Sequence, residues 1–205
     1  MKLDANYWEN RYHNAETGWD IGAVSTPLKV YFEQLVAKDE RILLPGAGNG
    51  HEAAYLFQLG FTNVHILDIS AAPLRNFQQQ WPAFPKDHII HGNFFEHKGR
   101  YDLIIEQTFF CALDPQLRKD YVKKMHELLD ENGKLAGLLF DDPHMPAAGP
   151  PFGGTRDEYV QYFKPYFTFC TFEKSYNSIP ARSGRELFMV LKKKTEPSED
   201  SVFMP

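Results

Sequence analysis

Cysteine is almost absent: the 205 residues contain two, Cys111 and Cys170, and no Cys/His spacing resembles a zinc site. Neither a disulfide framework nor a structural metal is therefore expected to hold the fold, and a reducing compartment is implied. Positive charge is also scarce, with 22 Lys and Arg against 27 Asp and Glu, a net charge of −5, and no basic block beyond Lys192–Lys194. Such a surface offers little to a phosphate backbone or an anionic lipid, so nucleic acid and membrane are not expected partners. No apolar run approaches the length of a bilayer span, and residues 1–12 are too polar and charged for a signal peptide. A cytoplasmic protein is expected. No Gly-Lys-Ser/Thr follows the glycine-rich turn at 46–50, which excludes a P-loop. What is present, 43% hydrophobic and 15% aromatic residues, is core enough for one domain.

From Thr26 onward the apolar pattern alternates between helical and strand periods, the mark of a mostly parallel sheet with helices on both faces. Strands are expected at Arg41–Pro45, Asn63–Asp68, His88–His91, Tyr101–Glu106 and Lys134–Asp141. Thr26 is placed to cap, and Pro27 to open, a helix with Leu28, Tyr31, Phe32, Leu35 and Val36 on one stripe. A short helix through Ala53, Ala54, Leu56 and Phe57 should stop at Gly60, and Ser70 should cap a third carrying Leu74 and Phe77. Asp114-Pro115 opens the clearest helix, with Leu117, Tyr121, Met125, Leu128 and Leu129 in the 3.6 period and Gly133 as its left-handed cap. Beyond the Pro/Gly-rich stretch 142–154, a helix over Thr155–Phe163 precedes two strands, Phe167–Lys174 and Glu186–Lys192. No helix separates them, so they should pair antiparallel. The expected architecture is an α/β fold with a mostly parallel seven-stranded sheet, an antiparallel edge hairpin and helices on both faces. One domain is expected over residues 1–194, with an aromatic N-terminal segment at 1–25 and a loose tail at 195–205.

The chemistry centres on an order of elements: strand, Gly46-x-Gly48-x-Gly50, helix, then Asp68 ending the next strand 20 residues beyond Gly48. Glycines let a backbone approach a ligand, and a carboxylate in that place is positioned to accept hydrogen bonds from ribose hydroxyls. Any tight strand-to-helix turn uses glycine too; the order of elements favours the nucleoside cofactor. A dinucleotide fingerprint wants a further glycine at position 51, where His51 stands, so NAD and FAD are disfavoured. S-adenosylmethionine has ribose and adenine without a phosphate and fits best. Asn93, Phe94 and Phe95 supply an amide edge and aromatic rings for adenine, although such rings also make core. The sulfonium charge is drawn to aromatic faces by about 0.5–2 kcal/mol each. Trp8 and Tyr12 lie four apart on one helical face, and Trp19 follows. Such a stripe more commonly packs on a sheet; a segment preceding the core can instead lie across its mouth as a lid.

Several segments together resemble a known family: Tyr7-Trp8-Glu9-Asn10-Arg11-Tyr12, Gly18-Trp19-Asp20-Ile21-Gly22, Leu44-Pro45-Gly46-Ala47-Gly48, Leu67-Asp68-Ile69-Ser70, Gly92-Asn93-Phe94-Phe95-Glu96-His97, Thr108-Phe109-Phe110-Cys111-Ala112-Leu113, Gly149-Pro150-Pro151 and Ile179-Pro180-Ala181-Arg182. Over most of its length the chain resembles the thiopurine S-methyltransferase-like branch of class I S-adenosylmethionine-dependent methyltransferases, and within it the halide/thiol (thiocyanate) methyltransferases. The resemblance implies a Rossmann-like fold, S-adenosyl-L-methionine as cofactor and S-adenosyl-L-homocysteine as product. It also implies a small soft acceptor: a thiol, hydrosulfide, thiocyanate, a halide or a thiopurine. It assigns Trp8, Trp19, Gly46, Asp68, Asn93 and Phe94 to the cofactor, and Tyr12, Gly48, Ile69 and Glu106 complete the expected set. Tyr12 stands where similar enzymes have a second tryptophan, and Asn93 where they have Asp; both keep the contact. Gln107 falls where the halide/thiol branch typically shows a tyrosine, and Phe152 where some relatives have tyrosine after the two prolines. Two hydroxyls are thereby missing from the expected surroundings of a small anion.

Methyl transfer is an in-line displacement at a carbon already activated by a positive sulfur, so alignment is the protein's main task. A soft anion needs no base. A neutral thiol gains from deprotonation, for which His51, His97 and His144 are candidates, each equally an ordinary surface or loop residue. Gln107 and Arg182 are expected to position the acceptor, Arg182 by drawing an anion toward the cleft; Arg185 reads as a solvated arginine. Asp141 and Asp142 lack a third ligand, and no metal is expected. Three alternatives stay open: an O- or N-methyltransferase of another small metabolite, a non-catalytic domain binding the cofactor or its product, and, weakest, a nicotinamide oxidoreductase. With no surplus apolar helix or long exposed edge in the sequence, a monomer is expected.

Overall fold

Continuous apolar runs such as Ile42–Pro45 can be satisfied only where both faces of a strand are covered, and that is where they lie. In the computed structural model, which describes residues 2–145 and 148–197, β1 (Ile42–Pro45) and β2 (Val64–Asp68) are buried along their whole length. With β3 (Ile89–His91), β4 (Tyr101–Gln107), β5 (Leu129–Phe140), β6 (Phe167–Lys174) and β7 (Glu186–Lys193) they form one seven-stranded sheet in the order β3-β2-β1-β4-β5-β7-β6. β1 to β5 run parallel; β7 is antiparallel to both β5 and β6. The expected edge hairpin is present, with its second strand inserted beside β5 and its first outermost. Strand order reverses between β1 and β4, which opens a crevice at their carboxyl ends.

Helices cover both faces. On one, Leu28 and Phe32 of α2 (Thr26–Glu33), Leu56 of α3 (His51–Gln58) and Phe77 of α4 (Ala71–Gln80) pack on Ile42 and Ile66. On the other, Tyr121 and Met125 of α5 (Arg118–Leu128) and Phe163 of α6 (Arg156–Phe163) pack on Leu43 and Ile104. Each large side chain buried in these layers contributes roughly 1.5–3 kcal/mol.

Local chemistry departs from expectation at the helix ends. Ser25, not Thr26, takes the N-cap place of α2, and its hydroxyl turns away to Gln107. Asp114 caps a single 3-10 turn, accepting from Gln116 N at 2.9 Å, and α5 begins only at Arg118. Gly133 caps nothing: α5 runs directly into β5, and the left-handed residue is Asn132, φ 68°. Asparagine tolerates that conformation, while a Cβ on Gly133 would stand 2.9 Å from the Asp130 carbonyl. Helix α1 (Ala5–His13) buries none of its residues and does not lie on the sheet. It docks on α4 through Glu9, whose carboxylate accepts from Ser70 Oγ (2.5 Å), Ala72 N (3.0 Å) and Arg75 (2.9 Å). Of the expected tail, residues 198–205 lie outside the described residues.

Candidate active site

The crevice at the carboxyl ends of β1, β2 and β4 widens into a cavity of about 1,120 Å³. Its floor begins at the glycine turn, where Gly46, Gly48 and Gly50 all adopt positive φ (60°, 53° and 70°). A Cβ at Gly46 would fall 2.3 Å from the Phe109 ring, and one at Gly48 2.6 Å from Tyr12 Oη. Glycine here lets both neighbouring segments close onto the turn. Asp68, 7% exposed, accepts from Gly48 N and Ser70 N, both at 2.8 Å, and so ties the turn to β2. Burial raises its pKa, against the lowering effect of those two amides. Ile69, Asn93, Phe94 and Phe95 continue the wall. Asn93 accepts from Phe95 N at 3.0 Å and donates to Glu96 at 3.2 Å, fixing the turn on which it sits. Phe94 serves both readings open to it: it lines the cavity, and its ring lies 5.2 Å from Phe109 and 5.7 Å from Tyr121 in the core.

The aromatic N-terminal segment forms another wall. Trp8, Tyr12 and Trp19 line the cavity and meet edge to face, Trp8 to Trp19 at 5.5 Å and Tyr12 to Trp19 at 5.9 Å. Two carboxylates latch the segment. Glu9 holds α4, and the Ser70 hydroxyl, first among its causes, brings its pKa down to about 2. Asp20 accepts from Asn49 Nδ2 (2.5 Å) and Gly22 N (2.7 Å) and pairs with His51 Nε2 (2.7 Å). That histidine lowers the Asp20 pKa to about 2, and Asp20 in turn raises that of His51. Glu9→Ala removes the first latch while leaving the core intact. S-adenosylhomocysteine should bind it about tenfold more weakly, a cost near 1.4 kcal/mol, with little change in Tm. Unchanged affinity in calorimetry would mean that the segment docks without the latch.

Arg182, 8% exposed, is on the wall and reaches two elements: it donates to the Trp19 carbonyl at 2.7 Å and meets Glu186 at 3.4 Å. Gln107 also lines the cavity, its Oε1 accepting from Ser25 Oγ at 3.3 Å. Arg185 lines it at the rim, paired with Asp142 at 2.8 Å.

Glu106 requires a correction. It is 0% exposed and is not on the wall; it accepts from Phe109 N (2.8 Å), Phe110 N (3.0 Å) and the Tyr121 hydroxyl. Alternation along β4 sends its side chain into the layer beneath α5 while its neighbour Gln107 opens on the cavity. Its role is to hold the turn after β4 from behind. Phe152 is likewise off the wall, where only its amide is engaged, donating to the Cys111 carbonyl at 2.7 Å; Pro150 and Pro151 line the cavity instead. Of the three histidines, His97 bonds the Tyr101 hydroxyl (2.8 Å) and does not line the cavity, nor does His144; His51 does, with its Nε2 engaged by Asp20. Among the wall residues to which the sequence reading gave no role are Arg11, whose Nε has no hydrogen-bond partner, and Glu52, in the first turn of α3. Glu52 was legible as an acid directly behind the glycine turn, and Arg11 as the cation preceding Tyr12. No group of three or more metal-ligating side chains occurs among the described residues.

A family model described as thiopurine S-methyltransferase matches residues 3–194. The chain belongs to the thiopurine S-methyltransferase family. Among relatives of the family, thiocyanate methyltransferase 1 of Arabidopsis thaliana is 29% identical over 192 residues, covering 87% of this chain and 81% of that protein. A thiopurine S-methyltransferase of Vibrio vulnificus is 26% identical over 177 residues, covering 78% and 81%. The fold is also that of Burkholderia thailandensis 1,6-didemethyltoxoflavin-N1-methyltransferase, solved with S-adenosylhomocysteine, at a TM-score of 0.75 and 18% identity over 93% of this chain and 87% of that one. The protein is thus an S-adenosylmethionine-dependent methyltransferase with a class I fold. Its donor set suits that cofactor: a carboxylate at the end of β2, glycines beneath it, an amide with aromatic rings after β3, and a cation, Arg11, beside Trp19 at 5.5 Å.

Proposed function

We propose that this methyltransferase acts on a small soft nucleophile: a thiol, hydrosulfide, thiocyanate, a halide or a thiopurine. The supporting observation is the composition of the cavity beyond Gln107. Cys111, Phe140, Met145 and Pro151 line the same cavity as the buried cation of Arg182, which lies 5.6 Å from the Phe140 ring, so polarisable and apolar groups share the wall with a positive charge. Soft, weakly hydrated acceptors lose little on entering it. The relatives' activities as named, thiocyanate methyltransferase and thiopurine S-methyltransferase, support the same class.

S-adenosylmethionine supplies a methyl group on a positively charged sulfur. The chain's part is to bind and align. Asp68, Asn93 and Ile69 would hold the nucleoside, while Trp8, Tyr12 and Trp19 exclude water and present ring faces and edges toward the sulfonium. Gln107, fixed by Ser25, and Arg182, fixed by Trp19 and Glu186, would position the acceptor for in-line attack. The reading includes a monomer in the cytoplasm without nucleic-acid or membrane partners, supported by the net charge of −5. Among the described residues no helix is long and apolar enough to cross a membrane.

The test is titration with S-adenosylmethionine and S-adenosylhomocysteine, followed by product analysis with hydrosulfide, thiocyanate, iodide and a thiopurine. Methylated product with any of these supports the reading. Tight cofactor binding without product from the whole panel would overturn the acceptor class and favour an oxygen or nitrogen acceptor.

A further inference from the structure

Glu52 is buried, 8% exposed, yet lines the cavity. Its Oε1 accepts from the Ser25 amide at 3.1 Å, and the Ser25 hydroxyl bonds Gln107 Oε1 at 3.3 Å. One serine therefore fixes both the carboxylate and the amide expected to position the acceptor. A second hydrogen bond reaches the carboxylate from Glu52's own backbone amide, and the side chain lines the cavity. Other ionisable groups on this wall are engaged. Asp68 is tied by two backbone amides, His51 and Asp20 hold each other, and Arg182 is held by Glu186 and the Trp19 carbonyl. Arg185 pairs with Asp142, and Asp114 caps the exposed turn it opens.

A free alkyl thiol resembles a cysteine side chain, with a pKa of about 8.5, and enters mostly protonated at neutral pH. The apolar cavity makes the thiolate costlier still unless the proton has a place to go. Resting on the proposed acceptor class, we propose that Glu52 is the general base for neutral thiols. The thiol proton passes to the Glu52 carboxylate, and the S–H electron pair stays on the thiol sulfur. That sulfur forms the new C–S bond as the old C–S⁺ bond breaks, its electrons passing to the departing sulfur. The products are a methyl thioether, S-adenosylhomocysteine and a protonated Glu52, which returns its proton to water. Burial raises the Glu52 pKa toward that of the thiol, opposed by its hydrogen bonds from the Ser25 amide and its own amide and by the positive charges of His51 and Arg182; Asp20 and Glu186 face those two cations. A better-matched pair transfers a proton more efficiently. Halides and thiocyanate carry no proton and make no such demand.

The experiment compares wild type and Glu52→Gln with 2-mercaptoethanol and with iodide at saturating S-adenosylmethionine. Glu52→Gln should lower kcat/KM for the thiol about 100-fold more than for iodide, and Glu52→Asp should recover part of that difference. The wild-type thiol profile should carry an acidic limb that the iodide profile lacks. Independently of turnover, adding 2-mercaptoethanol to wild type with bound S-adenosylhomocysteine should produce a protonated-carboxyl band in the infrared difference spectrum, absent from Glu52→Gln. Iodide turnover reports that the variants fold. Equal losses for both acceptors, no loss for the thiol, or no carboxyl band would overturn the base. A wild type that methylates neither acceptor, nor any other in the panel, would instead overturn the acceptor class itself.

Discussion

Asp68→Ala should weaken S-adenosylmethionine binding about 1,000-fold, or roughly 4 kcal/mol. The carboxylate joins two segments of the site, accepting from Gly48 N and Ser70 N at 2.8 Å each. Hydrogen bonds to a charged group are worth about 1.5–3 kcal/mol each. Alanine leaves both amides without their acceptor and loosens the glycine turn, leaving Ala47 N on the Leu67 carbonyl (3.2 Å) and Gly50 N on the Ala47 carbonyl (2.9 Å) to hold it. It also removes the group proposed to receive the ribose hydroxyls. Asp68→Asn keeps one acceptor oxygen and should fall between, about 10- to 100-fold weaker than wild type. Calorimetry with S-adenosylhomocysteine separates turn from ligand when paired with thermal unfolding. If affinity falls only in proportion to Tm, the residue is a structural tie; if Asn restores Tm but not affinity, the ligand contact is real. Wild-type affinity in Asp68→Ala would remove Asp68 from the cofactor site.

Much of this arrangement is legible without coordinates because it is carried by local sequence order. Buried parallel strands need continuous apolar runs, a turn at the end of β1 needs glycine, and Asp68 follows at a spacing set by one helix and one strand. The lack of a crossover α-helix between β6 and β7, where only a 3-10 turn at Pro180–Arg182 intervenes, similarly favours an antiparallel pair. What was not legible depends on tertiary choices. Whether Glu106 or Gln107 faces the cavity is a matter of strand register, and a one-residue difference sends the side chain to the opposite layer. Gly133 looked like a helix cap because its need for space comes from the carbonyl of Asp130, three residues back, rather than from its own φ. The three histidines attracted attention by residue type, yet one sits beside Tyr101 and another is taken by Asp20. Glu52 was legible only as an acid behind the glycine turn; its link through Ser25 to Gln107 is made by the fold. The docking of α1 on α4 was equally hidden, since Glu9 and Ser70 are separated by 61 residues.

Glu106 carries the other large expected effect, on stability. It is fully buried, and burial, outweighing its hydrogen bonds from Tyr121 and from the amides of Phe110 and Phe109, pushes its pKa up to about 7 from 4.5. The folded state therefore holds a proton there that the unfolded chain gives up near 4.5. The sign follows: the contribution is fully present below the unfolded value and is lost as pH rises through 7, by about 3 kcal/mol in all. Glu9 and Asp20, with pKa values lowered to about 2, act in the opposite sense, and their contributions fade on acidification below the unfolded carboxylate range. The comparison must accordingly be made against Glu106→Gln, which retains those groups and a neutral acceptor for the Phe109 and Phe110 amides. Between pH 5 and 8 the stability of wild type relative to Glu106→Gln, from denaturant melts, should fall by about 2.5 kcal/mol. Glu106→Ala should lose roughly 3–5 kcal/mol near pH 5, since two buried amides and the Tyr121 hydroxyl are left without their acceptor. Phe109 and Cys111 follow directly on this carboxylate and line the cavity, so the same variant should also raise KM for the cofactor. A wild-type stability parallel to that of Glu106→Gln across this range would show that the carboxylate has the same pKa folded and unfolded, and that Tyr121 and the two amides hold it charged.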